Sequence, residues 1–257
     1  MEPLTKQLAN TSQTEKVYFT VIEYIQTLVR NGHLTIGDKL PSERQLMETL
    51  GLSRNSIREA LRSLENIGII ESRHGQGNYL VNHAGKSLWS MFSLLLSMNE
   101  CSCFEIRQLR RMLETDACLL AAKQAQDADV QALSHILSKM ADSRMQERAQ
   151  LDKHFHDTII QMCGNRLLML LNETLSQLFE SSIHEILADI SARDWEELLS
   201  CHVTIYESLR TRNLPACTTA VMAHYDFIDD LFKKYEHQTS LEESPASITS
   251  ITSIKQL

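Results

Sequence analysis

Glycine and proline are scarce in this chain. Eight Gly and four Pro in 257 residues leave room for few turns, and runs rich in β-branched residues are few. A mostly helical protein is expected. Long apolar runs are missing too. No stretch approaches the roughly 18 uninterrupted apolar residues that a membrane-spanning helix needs. The opening "MEPLTKQLANTSQTEK" has no apolar core of the signal-peptide kind. A cytoplasmic protein that does not engage a membrane is expected. Cysteine is present at 101, 103, 118, 163, 201 and 217, but only the first two are close, and no His stands at zinc-finger spacing from any of them. Six free thiols, several in the core, fit a cytosolic chain.

Hydrophobic content of 43% is enough for real cores, and the length allows one large domain or two smaller ones. Charge divides unevenly. Residues 16–82 hold eight Lys/Arg against seven Asp/Glu, whereas residues 83–257 hold sixteen against twenty-four. The second part is acidic and poorly suited to broad contact with nucleic acid.

The first part reads as a sequence of capped helices. Apolar positions 17, 21, 22, 25, 28 and 29 keep a helical period that ends at Gly32. Ser42, with Gln45 three residues on, is a capping box opening a second helix that stops at Gly51. Ser53 caps a third, Arg54 to Ile67, closed by Gly68. Two short apolar segments over residues 69–81 then flank His74-Gly75-Gln76-Gly77, the signature of a β-hairpin. Helix, short turn, helix, hairpin is the winged helix-turn-helix order, whose second helix enters the major groove.

The third helix carries Arg54, Arg58 and Arg62 at four-residue spacing, with Ile57, Leu61 and Leu64 on another face. The arginine fork suits guanine edges and phosphates. Three arginines alone fit an ordinary solvated helix paired with Glu59 and Glu65. The capped helix pair followed by a Gly-rich hairpin favours DNA binding.

Residues 37–81, "GDKLPSERQLMETLGLSRNSIREALRSLENIGIIESRHGQGNYLV", resemble the N-terminal domain of GntR-family bacterial transcription regulators. LPSER, the GLSR turn, the I-R-E-A-L run and the G-x-G wing carry the resemblance. It implies a DNA-contacting set of Arg44, Ser53, Arg54, Asn55, Arg58, His74, Gly75 and Gly77. Arg62 is outside that pattern and reads as a surface residue.

The remainder is helical from about Leu88 to Tyr235, with breaks that make six or seven helices. "AQLDKHFHDTII" places Asp152 and His156 four apart, on one helix face. His202 and His224 lie on two later helices. One carboxylate and three imidazoles would suit Zn²⁺, Ni²⁺ or Mn²⁺. With ten histidines in the chain, spacing alone favours plain core or surface histidines.

Residues 88–235 resemble the all-helical ligand-binding domain of the FadR subfamily, through "RRMLETDACLLAA" and "LDKHFHDTI…CGNRLL". The resemblance implies that Asp152, His156, His202 and His224 hold a divalent metal, with zinc expected first. It also implies that Arg110 pairs with the carboxylate of a small effector, a hydroxy acid or sugar acid. The alternative for Arg110 is a salt bridge to Glu114. Asn165 and Arg166 lie at a Gly-Asn turn that also reads as structural.

The expected organisation is a flexible terminus at 1–12 and a winged helix-turn-helix at 13–82. A linker at 83–92, opened by the polar "NHAGKS", leads to a helical effector and dimerisation domain at 93–237. The Ser/Thr-rich stretch 238–257 is expected to be disordered. The expected function is a homodimeric, effector-responsive regulator on a palindromic operator, with effector binding reorienting the DNA domains through the linker. Two other readings stand beside it: a metal-dependent enzyme with an accessory DNA-binding domain, and a regulator whose second domain only dimerises.

Overall fold

The computed structural model describes residues 17–242. Ten helices and one two-stranded antiparallel sheet make up these described residues. The expected mainly helical class, with one small β-hairpin, is what the chain adopts. It divides between Ser90 and Met91 into two compact units. The expected terminus at 1–12 and residues 243–257 of the expected tail lie outside the described residues.

In the first unit, α1 covers residues 17–30, α2 is Glu43–Leu50 and α3 is Arg54–Asn66. Ser42 and Gln45 cap α2 reciprocally, and Gly51 closes it in the left-handed region at φ 66°. Ser53 caps α3 through the Ser56 amide. Strands β1 (Ile70–Arg73) and β2 (Gly77–Leu80) pair from Ile70–Leu80 to Arg73–Gly77. The segment before α2 joins β2 as well, through Leu40 N to Asn78 O and Leu80 N to Asp38 O. Val21, Leu46, Ile57, Leu64 and Ile70 form a common core beneath the three helices and the hairpin. The apolar face of α3 turned inward therefore leaves Arg54, Arg58 and Arg62 exposed.

Helix α4 spans Ala84–Ser97. The polar stretch 82–87 is thus helical from Ala84, and α4 runs through most of the segment expected as a linker. Gly85 falls in the first turn, and the apolar run that follows continues the helix. The chain enters α4 against the end of α3. His83 N donates to Gly68 O at 2.8 Å, and Ser87 Oγ donates to Asn66 O at 3.2 Å.

The second unit is built from α5 (Cys103–Gln124), α6 (Asp127–Ala141), α7 (Met145–Met162), α8 (Arg166–Ala188), α9 (Ala192–Arg210) and α10 (Leu214–Glu242). Helix α5 packs on α7, α8 and α10, while α9 packs on α6 and α10. Their shared core includes Leu133, Met140, Phe155, Leu187, Leu198 and Ile205, all but removed from solvent. Helix α10 runs on to Glu242, into the stretch expected as a tail from residue 238. No described helix is long and apolar enough to cross a membrane.

Gly68 has φ 73°, and a Cβ there would lie 2.6 Å from the His83 carbonyl oxygen. Both the left-handed backbone and the missing side chain are required. Gly68→Ala is expected to cost the first unit about 1–3 kcal/mol. Thermal melting followed by circular dichroism checks this.

Candidate functional site

Four side chains from three helices converge in the second unit. Asp152 and His156 come from α7, His202 from α9 and His224 from α10, and all four residues are buried. One ring nitrogen of each histidine lies within 4.8 Å of the others. His156 Nε2 and His202 Nε2 are 3.2 Å apart, and Asp152 Oδ1 is 3.1 Å from His202 Nε2 and 3.8 Å from His156 Nε2. At most one proton can lie between two such imidazole nitrogens. Asp152 Oδ1 is sealed from solvent with no aligned hydrogen bond, and so is His224 Nδ1. Unshared lone pairs meeting in a buried space are what a cation satisfies, and one carboxylate with three imidazoles is a set suited to Zn²⁺, Ni²⁺ or Mn²⁺.

The electrostatics follow from burial and charge. Burial works against an ionised Asp152, but the rings of His202, His156 and His224 outweigh it and hold its pKa at about 2. Burial also disfavours a charged His224, reinforced by His156 and His202, so that it stays neutral well below the usual histidine range. His202 is pushed down mainly by burial. His156 goes the other way: burial lowers it, and Glu114 more than restores it.

Glu114, on α5, is the residue that sequence reasoning undervalued. Its Oε2 lies 2.8 Å from His156 Nδ1, and its Oε1 accepts from Arg110 NH2 at 3.0 Å. Burial opposes its charge, and His156 and Arg110 together keep it ionised. A carboxylate behind a ligating histidine fixes the ring and its tautomer. The spacing of Arg110 and Glu114 was legible as an i,i+4 pair, but nothing local links Glu114 to His156, forty-two positions on.

Arg110 therefore makes the alternative salt bridge, and it keeps something in reserve. Its Nε is buried without a hydrogen bond. Both Arg110 and Asp152 line the inner end of an open cleft of about 900 Å³ between α7 and α8. Asn165 caps α8, accepting from the amides of Leu167 and Leu168, and that accounts for the Gly-Asn turn.

The residues singled out for DNA occupy one unit and differ in what binds them. Arg58 Nε donates to both Glu43 oxygens at 2.9 Å, which holds the side chain across α2 and α3, while its terminal nitrogens have no hydrogen bond among the described residues. Arg44 is 81% exposed and lies 3.5 Å from Glu48. Arg54 and Asn55 are exposed at the start of α3, without a side-chain partner among the described residues. The Ser53 hydroxyl is occupied by its cap and by Ser56 Oγ. His74 and Gly75 stand exposed at the hairpin tip with Gly77, and a Cβ on Gly75 would meet nothing.

Comparison with known proteins decides the assignment. Residues 17–80 match the domain described as "Bacterial regulatory proteins, gntR family", and residues 105–227 match the FCD domain. The chain belongs to the GntR family. This GntR protein is 29% identical over 215 residues to the HTH-type transcriptional regulator LutR of Bacillus subtilis, covering 81% of this chain and 97% of LutR. It is 29% identical over 231 residues to the Glc operon transcriptional activator of Escherichia coli K12, covering 86% and 89% of the two chains. Its fold matches the solved Streptococcus agalactiae GntR at a TM-score of 0.63 and 27% identity, over 82% of this chain and 98% of that one. These relatives are named regulators, not enzymes, and this chain is a GntR-family transcription regulator with an FCD effector-binding domain.

In this regulator the imidazoles are held by packing as well as charge. Phe155 is fully buried and meets the His202 ring edge-on at 4.8 Å and the His156 ring at 5.5 Å. Phe155→Ala is expected to destabilise the second unit by about 3–5 kcal/mol, measured by urea unfolding.

Proposed function

We propose that this protein is a homodimeric, metal-dependent, effector-responsive regulator of transcription. Its second unit takes a divalent ion at Asp152, His156, His202 and His224, with zinc the first expectation and nickel or manganese the alternatives. The observation that carries this reading is the convergence of Asp152 Oδ1 with the Nε2 atoms of His156 and His202, beside an arginine whose buried Nε has no hydrogen bond among the described residues. A bound ion would offer a Lewis-acidic position to an anionic oxygen. Arg110 orients a small carboxylate there, since its guanidinium faces the cleft and suits a carboxylate fork. Glu114 holds both His156 and Arg110 in place. The setting is the cytoplasm, where operator DNA lies.

On the DNA side, Arg54 and Arg58 present guanidinium groups from the first two turns of α3. Arg44 suits a phosphate near the start of α2, and the wing tip at His74, Gly75 and Gly77 allows close backbone approach. Asn55 adds an amide at the same end of α3, and Ser53 contributes mainly by capping it. Two copies related by two-fold symmetry place two such helices on a palindrome.

Arg58→Ala is expected to weaken operator binding by about 1–3 kcal/mol if the arginine reads a base. A mobility-shift titration measures it, and unchanged affinity would remove Arg58 from the contact set. His202→Ala is expected to lose the metal and keep DNA binding. Full metal occupancy of that variant by elemental analysis would overturn the site.

A further inference from the structure

Two cysteines face each other across a helix pair, and the site described above uses neither. Cys118 lies on α5 and Cys217 in the first turn of α10, and both are fully buried in the core of the second unit. Ion pairs hold these two helices in register. Arg107 Nε meets Asp229 Oδ1 at 2.8 Å, and Arg111 NH2 meets Asp226 Oδ1 at 2.7 Å. Rising numbers on α5 thus meet falling numbers on α10, so the pair is antiparallel. About two turns further along it, Cys118 stands opposite Cys217. Ala121 and Ala220, each three residues beyond a cysteine, are buried in the same core. Side chains that small let the two backbones approach, and a disulfide needs Cα atoms within about 7 Å.

The thiols are in contact. The Cys118 S–H donates to the Cys217 sulfur, and that hydrogen bond holds the Cys217 thiol below its ordinary pKa although burial opposes it. A place in the first turn of a helix favours a thiolate as well. Cys217 is therefore the nucleophile of the pair and Cys118 its resolving thiol. The other cysteines are placed differently. Cys101, Cys103 and Cys201 are at least partly exposed, and Cys163 packs in a separate cluster with Ala117 and Ile160.

We propose that Cys118 and Cys217 form a hydroperoxide-sensitive pair that closes to a disulfide. The Cys217 thiolate attacks one oxygen of hydrogen peroxide and the O–O bond breaks. The departing oxygen takes back the proton that Cys217 released and leaves as water. The Cys118 sulfur then attacks the Cys217 sulfenic acid: the S–S bond forms, the S–O bond breaks, and the oxygen leaves as a second water with the Cys118 proton. Two thiols lose two electrons, and the peroxide is reduced. Hydrogen peroxide is little larger than water, and fraying of the first turn of α10 admits it. Cys118 is one turn from Glu114 on α5, and Cys217 is two turns from His224 on α10. Closing the bond therefore pins α5 to α10 beside the buried cluster.

The test is peptide mapping of the full chain by mass spectrometry without reductant, before and after hydrogen peroxide, with free thiols blocked under denaturing conditions. A linked Cys118–Cys217 peptide pair that reductant abolishes is expected. The melting temperature is expected to rise with it, because the bond closes a loop of about one hundred residues. Cys118→Ala is expected to lose the link and the rise, and to leave Cys217 as a sulfenic acid that dimedone traps. The map of the unaltered chain decides by itself, whatever the stability of that variant. Cys118 and Cys217 left as thiols while Cys101, Cys103 or Cys201 oxidises would overturn the proposal. So would a disulfide from either of the two to a different cysteine.

Discussion

The second unit is organised around one buried carboxylate. Glu114 meets Arg110 with one oxygen and His156 with the other. An ionised group with only 5% of its side chain exposed is costly to bury unless both oxygens are compensated. Arg110 supplies a charged donor to one oxygen, and His156 Nδ1 lies 2.8 Å from the other. A carboxylate beside Nδ1 favours a proton there, and in a neutral ring that leaves the Nε2 lone pair facing Asp152 and His202. Had Glu114 been absent, either tautomer would serve, and the imidazole would have no reason to aim at the cluster. The contact also joins α5 to α7 at their buried faces, so the chemistry and the packing of the bundle share one interaction.

The sequence carried the first unit almost completely, because its signals are local. Ser42 with Gln45, Gly51, Ser53 and Gly68 each act within a few residues of where they stand. Capping and left-handed turns are legible at that range. The cluster of Asp152 with three histidines was only half legible for the same reason. Asp152 and His156 announce themselves by four-residue spacing, whereas His202 and His224 come from other helices and needed the family pattern. Glu114 had no local signal toward His156 at all. The cleft wall on α8 was likewise invisible, since Ser176 and Glu180 look like any solvated stripe until α7 faces them.

The segment around residue 84 shows where local reading misleads. Asn82, Gly85 and Ser87 look like punctuation, yet α4 starts at Ala84. A glycine in a first turn costs less than one in a helix interior, because the first amides have no intrahelical partners to lose. Anchoring then adds what propensity lacks: the His83 amide on Gly68 and the Ser87 hydroxyl on Asn66 fix the start of α4 to the end of α3. The start of α4 is thus tied to the C-terminal end of the helix that presents Arg54 and Arg58.

Thermodynamics constrains how such a response works. An effector shifts DNA affinity only through differential binding to two states, and DNA must shift effector affinity by the same factor. The buried cluster is suited to impose that difference. Asp152 and Glu114 are both ionised beside the guanidinium of Arg110, and each is removed from water. Groups so placed tolerate little displacement, because an unpaired charge in that interior costs far more than a surface pair gains. Under the proposed reading, a carboxylate arriving at Arg110 would compete with Glu114 for the same guanidinium, and Glu114 in turn lies against His156. Binding there would therefore act on both α5 and α7, the property that the proposed sensor role requires of its site.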